Sequence, residues 1–165
     1  MHADISGESI TEVTAPDEKF EICLKILQAL PDWFGVEKMV TNYANDVRDN
    51  FFCCAFDNNN LAGFVSLKVH NPHTAEIHVM GILQEYHRRG IGRMLIERCI
   101  QQCRLWGMDF LTVKTLADIH PDEFYKKTRQ FYQAMGFKPL EVFPLHWDAD
   151  NPCLLMAMPV NYVSE

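Results

Sequence analysis

The chain is short of positive charge: 15 Lys and Arg stand against 22 Asp and Glu, a formal net charge of −7 with a pI near 5.4. Duplex nucleic acid is bound by displacing counterions with a basic surface, so this balance excludes a general nucleic-acid binder. No apolar run approaches the ~20 residues that cross a bilayer, and no membrane partner is expected. No secretory leader precedes Cys23, Cys53, Cys54, Cys99, Cys103 and Cys153. Reduced thiols in a cytoplasmic protein are therefore expected, not a disulfide framework. Repeats, low-complexity stretches and long linkers are missing as well, so residues 1–165 read as a single domain, with 48% hydrophobic content to build its core. Two phosphate-binding signatures are also absent: the Gly-Lys-Ser/Thr of a Walker A loop, and three spaced glycines followed by an acid. Cys99 and Cys103 share a helix face, but with no second ligand pair nearby they read as core, and no metal is expected.

What the chain does have is one basic turn, Tyr86-His87-Arg88-Arg89-Gly90-Ile91-Gly92-Arg93. Arg88, Arg89, Arg93, Arg98 and Arg104 face only Glu97 between residues 86 and 104, so an anionic ligand has one obvious destination. Before the turn, Ala75 to Ile82 alternates apolar and polar residues as a half-buried strand does, ending in Met80-Gly81-Ile82. After it, Ile91, Leu95, Cys99 and Cys103 recur at helical spacing, with Ile96, Ile100 and Trp106 broadening the stripe. Glycines let the chain bend tightly and bring its N–H groups close to a ligand, while a helix start offers unpaired donors and partial positive charge. Together these features describe a pyrophosphate cradle. The arginine side chains either add charge to it or point into water.

The remaining elements follow from periodicity and turn residues. A strand is expected over Glu8 to Thr14, then a helix capped near Ala15-Pro16-Asp17 with an apolar face at Phe20, Cys23, Leu24, Leu27 and Leu30. A second helix is expected from Val36 to Asp49, after an aromatic connection at Trp33 and Phe34. Phe51 to Phe56 and Leu61 to Val69 flank Asp57-Asn58-Asn59-Asn60 as a hairpin. Asn71-Pro72-His73 turns the chain into the strand at 75–82, and a further strand is expected from Phe110 to Thr115. Phe124 to Met135 reads as a helix closed by Gly136, and Phe137 to Phe143 and Leu154 to Met158 read as final strands around a polar, aromatic loop at His146 to Pro152. The pattern is α/β: a single mixed, twisted, largely antiparallel sheet with helices on both faces.

Two segments, in this order, resemble the GCN5-related N-acetyltransferase (GNAT) family. The family's turn has Gln or Arg, two variable residues, Gly, one variable residue and then Gly or Ala; here it reads His87-Arg88-Arg89-Gly90-Ile91-Gly92, with His87 in the first place. The second segment, Phe131-Tyr132-Gln133-Ala134-Met135-Gly136-Phe137, is similar to the family's Phe-Tyr-x-x-x-Gly-Phe; Tyr125 stands where relatives often carry Asn. The resemblance implies a GNAT-like fold with strands four and five splayed, and acetyl-CoA as co-substrate. Its pyrophosphate would be bound by the backbone of His87, Arg88, Arg89, Gly90, Ile91, Gly92 and Arg93, and its pantetheine arm would pair with Met80, Gly81 and Ile82.

The reaction implied is transfer of the acetyl group to a primary amine, by direct attack in a ternary complex. The N–H of Ile82 would donate to the thioester oxygen. Tyr132 would protonate the departing thiolate, since a phenol with a reference pKa of ~10 keeps its proton at neutral pH better than a thiol at ~8.5. Otherwise Tyr132 is simply packed. An ammonium acceptor must lose a proton before it attacks, and Glu76, in the strand where some relatives carry a general base, is either that base or a paired carboxylate. His78, two residues on, shares its face and could relay a proton or merely pack. Trp33, Phe34 and Trp147 either line an acceptor pocket or belong to the core. A small-molecule amine acceptor is expected, with a monomer or homodimer as the assembly; the alternatives are a protein or peptide N-acetyltransferase and a non-catalytic CoA-binding sensor.

Overall fold

The computed structural model describes residues 7–118 and 121–161. Its elements run β1 (Glu8–Glu12), α1 (Pro16–Gln28), α2 (Glu37–Asp46), β2 (Phe51–Asp57), β3 (Asn60–Asn71), β4 (Thr74–Ile82), α3 (Ile91–Leu105), β5 (Phe110–Leu116), α4 (Glu123–Ala134), β6 (Lys138–Asp148) and β7 (Asn151–Pro159). One-turn 3-10 helices occupy Val47–Asp49 and Gln84–Tyr86. The strands make a seven-stranded mixed sheet in the order β1-β2-β3-β4-β5-β7-β6. The β4–β5 pairing is parallel, and those of β1–β2, β2–β3, β5–β7 and β6–β7 are antiparallel.

The chain divides into two compact units, each built from two separated segments: Met1–Lys68 with Val79–Cys99, and Val69–His78 with Ile100–Glu165. In the first unit, Cys23, Ile26 and Leu27 of α1 pack with Val40 and Ala44 of α2 and with Phe52, Cys54, Phe64 and Val79 of the strands. The Phe52 and Phe64 rings stack with centroids 5.2 Å apart. Pro16 sets the start of α1, because proline's fixed φ and missing N–H suit the first helical position. The N-cap is Ala15, within the expected Ala15-Pro16-Asp17 turn, and Asp17 lies inside the first helical turn, where it pairs with Arg48. The second helix is shorter than expected, its last three residues tightening into the 3-10 turn Val47–Asp49.

In the second unit, β5, β7 and β6 form an antiparallel ladder. The final strands are longer than their composition suggested. His146, Trp147 and Asp148 belong to β6, and the expected loop shrinks to a turn closed by the Asp148 carboxylate, which accepts from Asp150 N and Asn151 Nδ2. Pro139 and Pro144 are tolerated because β6 is an edge strand whose register breaks beside both. Helix α4 starts at Asp122, whose carboxylate accepts from Phe124 N and Tyr125 N.

Candidate functional site

In the first unit, β4 leads into the basic turn through Gly81. A Cβ there would lie 2.9 Å from Ile26 Cγ2 and 3.2 Å from the Phe64 ring, so only glycine lets the strand end close on α1. Leu83 N donates to Ala62 O at 2.9 Å, and the 3-10 turn then brings the chain to His87, whose N donates to Gln84 O. Arg88 (φ 62°) and Gly90 (φ 82°) adopt left-handed conformations and reverse the chain into α3. The bond from Met94 N to Gly90 O opens the helix, so the N–H groups of Ile91, Gly92 and Arg93 precede its bonding ladder. A Cβ built on Gly90 meets no atom within 4 Å. Backbone donors at a helix start beside open space fit a pyrophosphate.

Arg89, though 42% exposed, is engaged by acids: it bonds Asp57 at 3.0 Å, lies 3.8 Å from Glu8 and covers the Tyr86 ring. Arg93 pairs with Glu97 on the next helical turn at 3.8 Å, with both side chains more than half exposed. His87 turns back onto the strand end. Its Nε2 donates to Ile82 O at 2.6 Å, and its ring meets the Trp33 ring edge-on at 5.5 Å. Trp33 and Phe34 pack against the core of the first unit.

In the second unit the β4–β5 ladder joins Thr74–Ile77 to Phe110–Val113 and then stops, although both strands continue. Glu76, one row before that end, is buried. Its Oε1 receives His70 Nε2 at 2.5 Å and Lys114 Nζ at 3.3 Å. Strand alternation and register put His78, Lys114 and Cys153 on the same face as Glu76. His70 and Lys114 went unread in the sequence, because only strand register brings residues 70, 76 and 114 together. The one available sign was a His six residues ahead of Glu76 across a turn.

Tyr132 is buried in α4, its ring edge-on to Phe137 at 5.5 Å and tilted against Phe131. The helix is tied to the end of β5 by buried Arg129, whose Nη1 donates to Leu116 O at 2.7 Å. Beside it, Thr115 is 3% exposed, and among the described residues its Oγ1 has no hydrogen-bond partner. Such a hydroxyl can be satisfied by a carbonyl that a ligand brings. Met80 through Arg93 thus gather in one unit, Glu76 and Tyr132 in the other.

All six cysteines are buried, and none of them forms a disulfide. Burial raises Cys23 and Cys54 to about 12, and Cys53, Cys103 and Cys153 to about 11, so none is a ready nucleophile at neutral pH. Cys99 and Cys103 are core residues of α3, together with Ile91, Leu95 and Ile96. Trp106 instead lies beyond the helix end and is exposed, outside the stripe expected to include it. Among the described residues no group of three His, Cys, Asp or Glu is placed to hold a metal, and no helix is long and apolar enough to cross a membrane.

The model of one protein family, described as the acetyltransferase (GNAT) family, matches residues 20–137. No curated protein sequence matches the chain. Among solved structures, an acetyltransferase of the GNAT family from Desulfovibrio desulfuricans superposes with a TM-score of 0.78 at 16% identity, over 93% of this chain and 99% of that one. An aminoglycoside 6'-N-acetyltransferase complexed with coenzyme A gives 0.73 at 18% identity, over 95% and 99%. The ribosomal-protein-S18-alanine N-acetyltransferase of Escherichia coli gives 0.73 at 19%, over 96% and 97%. At such identities the likeness is one of fold.

Proposed function

The chain belongs to the acetyltransferase (GNAT) family, and from that premise we propose that it acetylates a primary amine of a small molecule, with acetyl-CoA as donor. The observation that carries this reading is the turn at Arg88 to Arg93, where two left-handed residues and a helix start aim backbone donors at open space. The similar fold of an acetyltransferase complexed with coenzyme A supports the same donor. The interleaving of the two units in sequence supports one acetyltransferase domain over residues 1–165. Six buried cysteines that form no disulfide favour a reducing compartment, and hence the cytoplasm.

Acetyl-CoA supplies an activated acyl group on a thiol leaving group. Each residue then has a limited task. The turn from His87 to Arg93 binds the pyrophosphate by its backbone, while His87 fixes the Ile82 carbonyl and so the peptide that ends β4. Met80, Gly81 and Ile82 offer backbone groups to the pantetheine amides. The Ile82 N–H donates to the thioester oxygen, a contribution of about 3 to 4 kcal/mol for a donor of this type. The Tyr132 hydroxyl gives its proton to the departing sulfur, and Glu76 serves removal of the amine proton.

Thiol release from acetyl-CoA across amines of several classes tests the reading. Wild type is expected to turn over a small amine, and Tyr132→Phe to lose at least about 100-fold in kcat with acetyl-CoA binding intact. Preference for a peptide amine would move the acceptor to the protein class. Binding of acetyl-CoA without turnover of any amine would make the protein a sensor.

A further inference from the structure

We propose that His70 is the base that takes the proton from the acceptor amine, and that Glu76 acts behind it as a positioning residue. The inference rests on the acetyltransferase reading above and deepens it.

Both recorded bonds of Glu76 fall on one carboxylate oxygen, Oε1, and its side chain is only 8% exposed. The His70 side chain is 35% exposed, more than Lys114 at 28%. An incoming ammonium therefore meets the imidazole before the carboxylate. With Nε2–H donating to Glu76, the lone pair of His70 lies on Nδ1. The carboxylate thereby fixes tautomer and ring orientation, and its charge faces the imidazolium that forms, as the buried acid does in a hydrolase triad. Lys114 balances the carboxylate from the other side, at the row where the β4–β5 ladder has ended.

The step balances as follows. Nδ1 takes one proton from R–NH3+, leaving a neutral amine with a lone pair and an imidazolium. The amine nitrogen forms the C–N bond as the C–S bond breaks. Tyr132 donates its proton to sulfur, the second proton of the nitrogen restores the Tyr132 phenol by way of solvent, and the proton on His70 passes to solvent. The products are the amide, the free thiol and one proton.

The charged and titratable groups on this face are Glu76 and His78 on β4, Lys114 on β5 and Cys153 on β7, and strand alternation sets Lys68 beside His70 on β3. Cys153 is held up to about 11 by burial and stays neutral at working pH. His78 is thus the other imidazole on this face and the rival candidate for the base.

The test uses the full chain with acetyl-CoA and three acceptors, kanamycin, spermidine and an alanine-initiated hexapeptide, following thiol release from about pH 5.5 to about 9. His70→Gln keeps an amide donor for Glu76 but has no base. It is expected to lose about 100-fold or more in kcat, keep its KM for acetyl-CoA within about twofold, and lose the acidic limb of the profile. In Glu76→Gln, where the imidazole remains, kcat falls but the limb persists; His78→Gln keeps both rate and limb. Near-wild-type kcat in His70→Gln, or a limb that vanishes in Glu76→Gln or His78→Gln in its place, overturns the proposal alone. A wild type that binds acetyl-CoA but releases no thiol with any of the acceptors overturns the acetyltransferase reading, and this proposal with it.

Discussion

Two glycines of this chain make a matched pair for testing the turn. Gly90 has φ 82° and Gly107 φ 73°, and in both a Cβ would meet no atom within 4 Å. Gly107 closes α3, with Gly107 N bonded to Arg104 O and Met108 N to Cys103 O, the usual left-handed helix end. Alanine in a left-handed conformation costs about 1–2 kcal/mol whatever the space around it. Gly90→Ala and Gly107→Ala should therefore both lower Tm, by roughly 2–4 °C per kcal/mol for a chain of this size. Only Gly90→Ala should weaken acetyl-CoA. A backbone donor moved off a charged oxygen forfeits about 1.5–3 kcal/mol, or roughly 10- to 150-fold in Kd. At a ligand concentration of about 100 Kd the wild type gains about 2.7 kcal/mol from acetyl-CoA, and a tenfold weaker variant gains about 1.4. The ligand-induced rise in Tm should thus halve in Gly90→Ala and stay whole in Gly107→Ala, with calorimetric titration giving Kd directly. Equal rises in the two variants would refute the cradle, since strain alone is then all that Gly90 relieves.

Three further outcomes follow from buried groups. Thr115→Val removes a hydroxyl that has no partner among the described residues, so Tm of the free protein should rise, for about 1–3 kcal/mol of relieved desolvation, while the rise produced by acetyl-CoA shrinks; a lower Tm would show that the hydroxyl is bonded. Lys114→Met leaves the buried Glu76 carboxylate to His70 alone and should cost about 1–3 kcal/mol, less than for a fully buried pair because Lys114 is part exposed and His70 still donates, whereas Glu76→Gln/Lys114→Met should cost less than that single change. Additive losses in urea unfolding would mean that the two side chains do not interact. The thiols of Cys23 and Cys54 are raised from 9.0 to about 12 when folded, so folding favours their protonated form. Their stabilisation is complete below about pH 9 and declines as pH climbs toward 12, and a thiol reagent at about pH 8 should label none of the six cysteines until the protein is denatured.

What could be read from the sequence divides along the range of the interactions. β4 and α3 were legible because strand alternation and helical spacing are local, and the stripe Ile91, Leu95, Cys99, Cys103 is indeed buried. The Asn-rich hairpin was legible because a turn needing a left-handed residue recruits asparagine, and Asn58 has φ 57°. The errors lie where a distant or competing constraint won. The Asp122 cap of α4 was present in the sequence but unread. β6 runs on past Pro144 to Asp148, because an edge strand loses little by carrying proline.

The same division runs through the candidate site. A phosphate held by backbone N–H groups places its demand on φ and on the absence of a Cβ, which only particular residues satisfy, so the cradle leaves a short pattern in the chain. A proton taken by a side chain places its demand on where that chain lies in space. His70 and Glu76 are six residues apart in sequence and Lys114 is 38 further on, yet all three meet at one carboxylate oxygen. No spacing rule connects them, because register and not sequence distance sets the contact. Where proteins share this fold at 16% to 19% identity, a backbone-held phosphate site of the kind proposed is the part that patterns reveal. The acceptor's chemistry has to be sought among cross-strand clusters such as this one, where a change of one side chain leaves the turn and its glycines untouched.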